Sequence, residues 1–130
     1  LQSDTWTWNG AAWSQPAIAG PFPPARAHAA MATLGSTVVL FGGDGGSGAL
    51  GDTWIWDGAA WTSPALSASP SPRSGAAMAA FGGALVLFGG DGGGGPLADT
   101  WTWDGKAWTL SSSVGSVAPP ARSGAALASP

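Results

Sequence analysis

Asp52-Thr53-Trp54-Ile55-Trp56-Asp57-Gly58-Ala59-Ala60-Trp61 is one of three copies of a ten-residue segment; the others run from Asp4 to Trp13 and from Asp99 to Trp108. The copies start 48 and then 47 residues apart. A fixed period of this length is the signature of an array of similar small sheets. Phe41-Gly42-Gly43-Asp44 recurs in the same phase as Phe88-Gly89-Gly90-Asp91. Arg26, Arg73 and Arg122 also recur in phase, each two or three residues after a proline. In both complete repeats the arginine precedes Phe-Gly-Gly by 15 residues, and the Gly-Gly-Asp aspartate precedes Asp-Thr-Trp by 8. Constant internal spacing argues for a repeated three-dimensional unit rather than for compositional chance.

Each unit reads as four short strands. In the second complete unit the first strand is Ser74 to Phe81, and Gly82-Gly83 turns the chain, since glycine tolerates positive φ. The second is the apolar run Ala84 to Phe88, which suits a strand covered on both faces. A glycine-rich loop, Gly89 to Pro96, leads to the third, Asp99 to Trp103, where the period of two puts Trp101 and Trp103 on one face. Asp104-Gly105 is a hairpin-turn signal before the fourth, Lys106 to Leu110. Alanine-rich stretches such as 25–34 align with 72–81, which holds Gly75 and ends at Gly82-Gly83, so alanine is read as a small residue where strands crowd, not as a helix former. The fold class expected is therefore all-β, built of four-stranded antiparallel blades of a β-propeller. The single segment 1–130 divides into a half blade (1–15), two blades (24–63 and 72–110) and the start of a further blade (120–130). That is about 2.75 blades, whereas radial propellers close with roughly 4 to 8. Three arrangements stay open: part of a longer propeller, a ring completed by homo-oligomerisation, or an open stack.

Composition narrows the functions. Only 8% of residues are charged and the net charge is −3, so neither a basic nucleic-acid footprint nor a polybasic membrane patch is present. The longest uncharged apolar-looking span, Ser74 to Gly90, holds five glycines and is explained by two strands rather than a membrane helix. There is no cysteine, which excludes disulfide scaffolds and thiolate metal sites. No leader peptide is visible, because Leu1-Gln2-Ser3-Asp4 runs directly into the first repeat. Twenty-two glycines and eleven prolines would suggest disorder by composition alone, but nine tryptophans in strict phase argue against it.

The unit resembles the kelch repeat of β-propellers. The residues that carry the resemblance are Pro24-Ala25-Arg26 and Pro72-Arg73, the apolar strands ending in Gly-Gly (Val38 to Gly43, Leu85 to Gly90), Asp-Thr-Trp-x-Trp, and the closing Trp13, Trp61 and Trp108. His28, two residues after Arg26, stands where kelch repeats often carry histidine. The resemblance covers nearly the whole chain. Many kelch repeats have tyrosine where Trp56 stands; this chain has none. The resemblance implies a binding or scaffold module that meets a protein, or a carbohydrate, at a propeller rim. It also implies an alternative, a piece of a larger secreted propeller enzyme of the galactose-oxidase kind. That family's copper chemistry uses tyrosine, cysteine and two histidines, and this chain has zero, zero and one. No cofactor is expected, and no catalytic residue is assigned.

The candidate binding residues are Asp44 and Asp91, in Gly-Gly-Asp-Gly-Gly loops, and Arg26, Arg73 and Arg122. The aspartates suit a rim contact or calcium, or else a turn whose carboxylate accepts local backbone N–H groups. The resemblance implies that the arginines meet an acidic peptide at one rim; their repetition also fits pairing between blades. Asp4, Asp52 and Asp99 are expected to tie strand starts to backbone N–H groups or to these arginines, and all nine tryptophans to pack between blades, an outer one partly exposed. A lone histidine makes neither a histidine metal site nor a Ser/His/Asp triad. The style of the repeat and the single lysine point to a bacterial, secreted or surface setting.

Overall fold

The computed structural model describes residues 1–111 and 117–129. Its ten strands are β1 (Thr7–Trp8), β2 (Trp13–Ser14), β3 (Ala30–Leu34), β4 (Thr37–Asp44), β5 (Ala49–Trp56), β6 (Trp61–Thr62), β7 (Ala77–Phe81), β8 (Ala84–Phe88), β9 (Thr100–Trp103) and β10 (Trp108–Ser111). They form a two-stranded sheet, β1-β2, and two four-stranded antiparallel sheets in sequence order, β3-β4-β5-β6 and β7-β8-β9-β10. The two full sheets have the four-stranded antiparallel form of propeller blades, and no described residue is helical.

Register decides which residues meet. In the first full sheet Val39 pairs with Ala32 and Ile55, and Phe41 with Ala30 and Thr53. These side chains share the face turned toward the second full sheet. Val38 and Leu40 point the other way with Trp54, Trp56 and Trp61. The same alternation in the second sheet puts Met78, Leu85, Leu87, Trp103 and Trp108 against Val39 and Phe41 in one core. The Phe41 ring meets Trp108 edge-on, with centroids 5.5 Å apart. Leu85 and Leu87 have no exposure, which accounts for the uninterrupted apolar run of β8.

Small residues sit where backbones approach. A Cβ on Gly43 would lie 3.2 Å from the Ala29 Cβ, and one on Gly90 3.1 Å from the Ala76 Cβ. Ala29 and Ala76, each just before the first strand of its sheet, are therefore small because a glycine backbone passes close to them.

Three details differ from the sequence reading. The Asp-Gly turn is not a two-residue hairpin loop. Trp56 pairs with Trp61 and Trp103 with Trp108, so the loop has four residues, and the fourth strand begins at tryptophan. The cause is the turn aspartate: Asp57 Oδ1 accepts the Ala59 and Ala60 amides, and Asp104 Oδ1 those of Lys106 and Ala107. Next, the first strand of the second sheet starts at Ala77, not Ser74, and Ser74 makes only an isolated bridge to Asp91. Finally, the first strand expected of the further blade, Arg122 to Ala128, does not form: Arg122 and Gly124 bond back to the preceding repeat, and residues 125–128 have no main-chain hydrogen-bonded neighbour among the described residues. Pro130, the end of the expected segment 120–130, lies outside the described residues.

The tryptophans divide six to three. Those of the two full sheets are buried or half-buried, but Trp6, Trp8 and Trp13 are 51%, 52% and 64% exposed. Trp54, Trp56 and Trp61 face the sheet before them. The face of β1-β2 that carries the equivalent three has no sheet against it among the described residues.

Candidate functional site

Every complete repeat builds the same internal ion pair. Arg26 binds Asp52 through two nitrogens, at 2.7 and 2.7 Å, and Arg73 binds Asp99 at 2.6 and 2.8 Å. Each pair joins the residue before the first strand to the start of the third-strand segment of the same sheet. The tryptophan two residues on donates its indole N–H to the same carboxylate: Trp54 to Asp52, Trp101 to Asp99, and Trp6 to Asp4 in the half sheet. Burial pushes the Asp52 carboxyl up, but hydrogen bonds from Arg26 and Trp54 outweigh it and hold the group below its usual 3.8. Asp99 is likewise held down, chiefly by Arg73. A carboxyl with a depressed folded-state pKa contributes stability that is present above the unfolded pKa and lost as pH falls through the folded value. Thermal melts should therefore show a plateau above about pH 5 and a fall below about pH 4. A melting temperature that stayed flat from pH 6 to pH 3 would show that these pairs do not hold the blades.

The sequence offered the arginines as links between blades. The side chains of Arg26 and Arg73 instead pair within a sheet, and the main chains of Arg73 and Arg122 make the link. The Arg73 amide donates to Leu50 O and its carbonyl accepts from Gly43, both in the preceding sheet; Arg122 does the same with Leu97 and Gly90. The closing tryptophans add a second seam. Trp61 donates its indole N–H to Thr5 Oγ1 and Trp108 to Thr53 Oγ1, each at 3.0 Å. The guanidiniums of Arg26 and Arg73 are almost fully buried, with side-chain exposures of 6% and 1%, so neither is presented at a rim. Arg122 is exposed and donates Nε to Pro120 O.

Asp44 and Asp91 lie in a different environment. They flank an open depression of about 520 Å³ lined also by His28, Ser74, Gly75 and Ser123. This site is one repeat corner used three times: His28, Gly75 and Gly124 are equivalent positions, as are Asp44 and Asp91. The corners are strung together by their main chains, Gly75 donating to His28 O and Gly124 to Gly75 O. Asp44 Oδ1 accepts the Gly46 amide at 2.8 Å, and Asp91 Oδ1 accepts those of Gly93 and Gly95. Each carboxylate thus holds its loop with one oxygen. Oδ2 has no hydrogen-bond partner among the described residues.

His28 was not singled out as a binding residue by the sequence. Its φ is +54°, the one positive value outside glycine among the described residues, where Gly75 and Gly124 have +63° and +67°. A side chain there costs about 1–2 kcal/mol, and such outliers point toward function. The signal was available: aligned repeats put histidine where the others carry glycine. Among the described residues no three His, Cys, Asp or Glu side chains come together to hold a metal ion.

A family model of the KLHDC2/KLHL20/DRC7 Kelch-repeats domain matches residues 3–130. No curated protein matches the chain. The in-phase Arg–Asp pairs, the close approaches at Gly42-Gly43 and Gly89-Gly90 and the tryptophan seams belong to one repeating blade, and with a match across nearly all of its length the chain belongs to the kelch-repeat family.

Proposed function

We propose that this chain is a non-catalytic kelch propeller module that recognises a protein partner at the corner formed by His28, Asp44 and Asp91. Kelch repeats generally mediate protein binding, and the observation that carries the reading here is the charge of the corner. With Arg26 and Arg73 withdrawn into ion pairs, the depression presents two carboxylates on glycine-rich loops and no arginine or lysine. Its complement is a partner segment bearing lysine or arginine, the reverse of the acidic peptide that exposed arginines would select.

The test is selection of a random peptide phage library on the immobilised chain. Basic peptides should be enriched, and the Asp44→Asn/Asp91→Asn variant should bind them at least about tenfold more weakly, the effect growing at low salt. Asparagine keeps the acceptor that holds each loop, so the melting temperature should not move. His28→Gly should also weaken binding while leaving stability within about 1 kcal/mol or raising it, because glycine meets the positive φ without strain. Selected peptides that bind the aspartate variant as tightly as the parent sink the reading.

A carbohydrate reading rests on a separate observation, the exposed Trp6, Trp8 and Trp13, whose faces are open to stacking. Quenching or shift of tryptophan emission by an oligosaccharide array would favour it; no response would remove it.

A further inference from the structure

We propose that the Asn9-Gly10 turn is a self-modification site, where the Gly10 amide nitrogen attacks the Asn9 side chain and the asparagine becomes aspartate with loss of ammonia. Asn9 is the only asparagine in the chain, and it stands where the other two repeats carry Asp57 and Asp104. The three turns are built alike. Asn9 Oδ1 accepts the Ala11 and Ala12 amides, both at 2.9 Å, as Asp57 and Asp104 accept theirs at 2.8 Å. Both partners of Asn9 are donors, so the atom they hold is the carbonyl oxygen. The glycines that follow have φ of +98°, +101° and +100°. Exposure of the turn belongs to the repeat. Asn9 and Gly10 are exposed, and so are Asp57 and Gly58, although their sheet is bonded to another on each side.

The nucleophile is open. Gly10 has no side chain to shield its nitrogen, a Cβ there would meet nothing within 4 Å, and its N–H has no acceptor among the described residues. The two amides at Oδ1 form an oxyanion hole. Attack bonds Gly10 N to Asn9 Cγ and drives the carbonyl electron pair onto Oδ1, the atom at which both N–H groups are already aimed. The sister turns show that this arrangement favours negative charge. Backbone N–H groups of Ala60 and Ala59 hold the Asp57 carboxyl below its usual 3.8, and those of Ala107 and Lys106 do the same at Asp104. Water is the one co-reactant. Gly10 N gives its proton to solvent hydroxide, the Cγ–Nδ2 bond breaks, and Nδ2 takes a proton from water and leaves as ammonia. A cyclic imide remains. Water adding at Cγ breaks the Gly10 N–Cγ bond, restores the main chain and leaves aspartate. Addition at the main-chain carbonyl gives isoaspartate, which lengthens the chain between the paired Trp8 and Trp13. No electrons are transferred. Asp57 and Asp104 do not follow this route, because a carboxylate that is already negative resists attack. The aspartate formed at Asn9 adds one negative charge to the net −3, and the turn holds it as it holds Asp57.

The test compares the whole chain, folded at mildly alkaline pH, with the same chain unfolded in guanidinium chloride at matched ionic strength. Mass spectrometry follows the tryptic fragment 1–26, and released ammonia is assayed alongside. The mass gain of an amide turned acid should appear in 1–26 at least about tenfold faster from the folded chain, a conservative figure for two donors at a developing oxyanion. The rate should rise with pH, since the Gly10 proton must be removed. Asp57→Asn should create a second reacting site with a similar folded-to-unfolded ratio. Asn9→Asp should melt as the parent does, because the turn accepts the product. A folded chain that reacts less than about tenfold faster than the unfolded one overturns the proposal. So does an Asp57→Asn variant whose new asparagine stays intact while Asn9 reacts, or an Asn9→Asp variant that melts lower than the parent.

Discussion

Arg73→Ala should destabilise the chain by about 3 kcal/mol or more, the largest loss expected from any single side chain outside the apolar core. The guanidinium has five N–H donors, and all find acceptors: Nε gives to Ser71 O, Nη1 to Gly89 O and Asp99, Nη2 to Ser71 Oγ and Asp99. Truncation leaves the Gly89 carbonyl buried without this donor and Asp99 without its counter-charge. The Asp99 side chain is 31% exposed, so water can solvate part of the stranded charge, which places the loss toward the lower end of the range for buried pairs. Arg73→Lys should recover little, because a point charge cannot make the bidentate contact and also reach Ser71. Urea unfolding of the three proteins decides the matter. A loss under 1 kcal/mol for Arg73→Ala would mean that the pair is structurally idle, and the arginine would then need another explanation.

Gly42→Ala should cost about 2–5 kcal/mol, from positive φ and from overpacking against an immovable backbone. Gly42 has φ +64°, and an added Cβ would meet Arg73 O at 2.5 Å and Leu50 O at 3.0 Å. Both are main-chain atoms at the seam, and the closer contact, with Arg73 O, is relieved only if the second sheet moves away from the first. Two other glycines calibrate the effect. Gly58, with φ +101° and open space around it, should lose only the conformational part, about 1–2 kcal/mol. Gly94 has neither positive φ nor a neighbour, and Gly94→Ala should stay within about 0.5 kcal/mol. If Gly42→Ala and Gly58→Ala proved equal, the close approach at the seam would not be a constraint.

How much of this was legible beforehand differs from feature to feature. The blade was legible because its determinants are local and periodic. Alternation of tryptophans, an apolar run and turn residues at fixed offsets are properties of neighbouring residues, and three copies multiply the signal. The partner of each arginine was only half legible. Arg26 and Asp52 are 26 residues apart in the chain, and whether a side chain pairs in its own sheet or across a seam depends on how sheets stack. That Asp44, Asp91 and His28 line one depression was not legible, because it depends on how the sheets stack, although alignment of His28 with Gly75 and Gly124 already marked its unusual backbone position. For Arg26 and Arg73 the sequence left pairing and binding open, because repetition does not reveal burial.

By itself the sequence determined the architecture of the blade, the kelch family and the positions where glycine is needed, since repeat phase and backbone stereochemistry act within a few residues. Only the tertiary structure decided which of two identical-looking sites is covered. Met31 and Met78, or Trp6 and Trp54, occupy the same place in the repeat, yet one of each pair is exposed and the other buried. Burial belongs to the neighbouring sheet, and no residue carries that information in its own repeat.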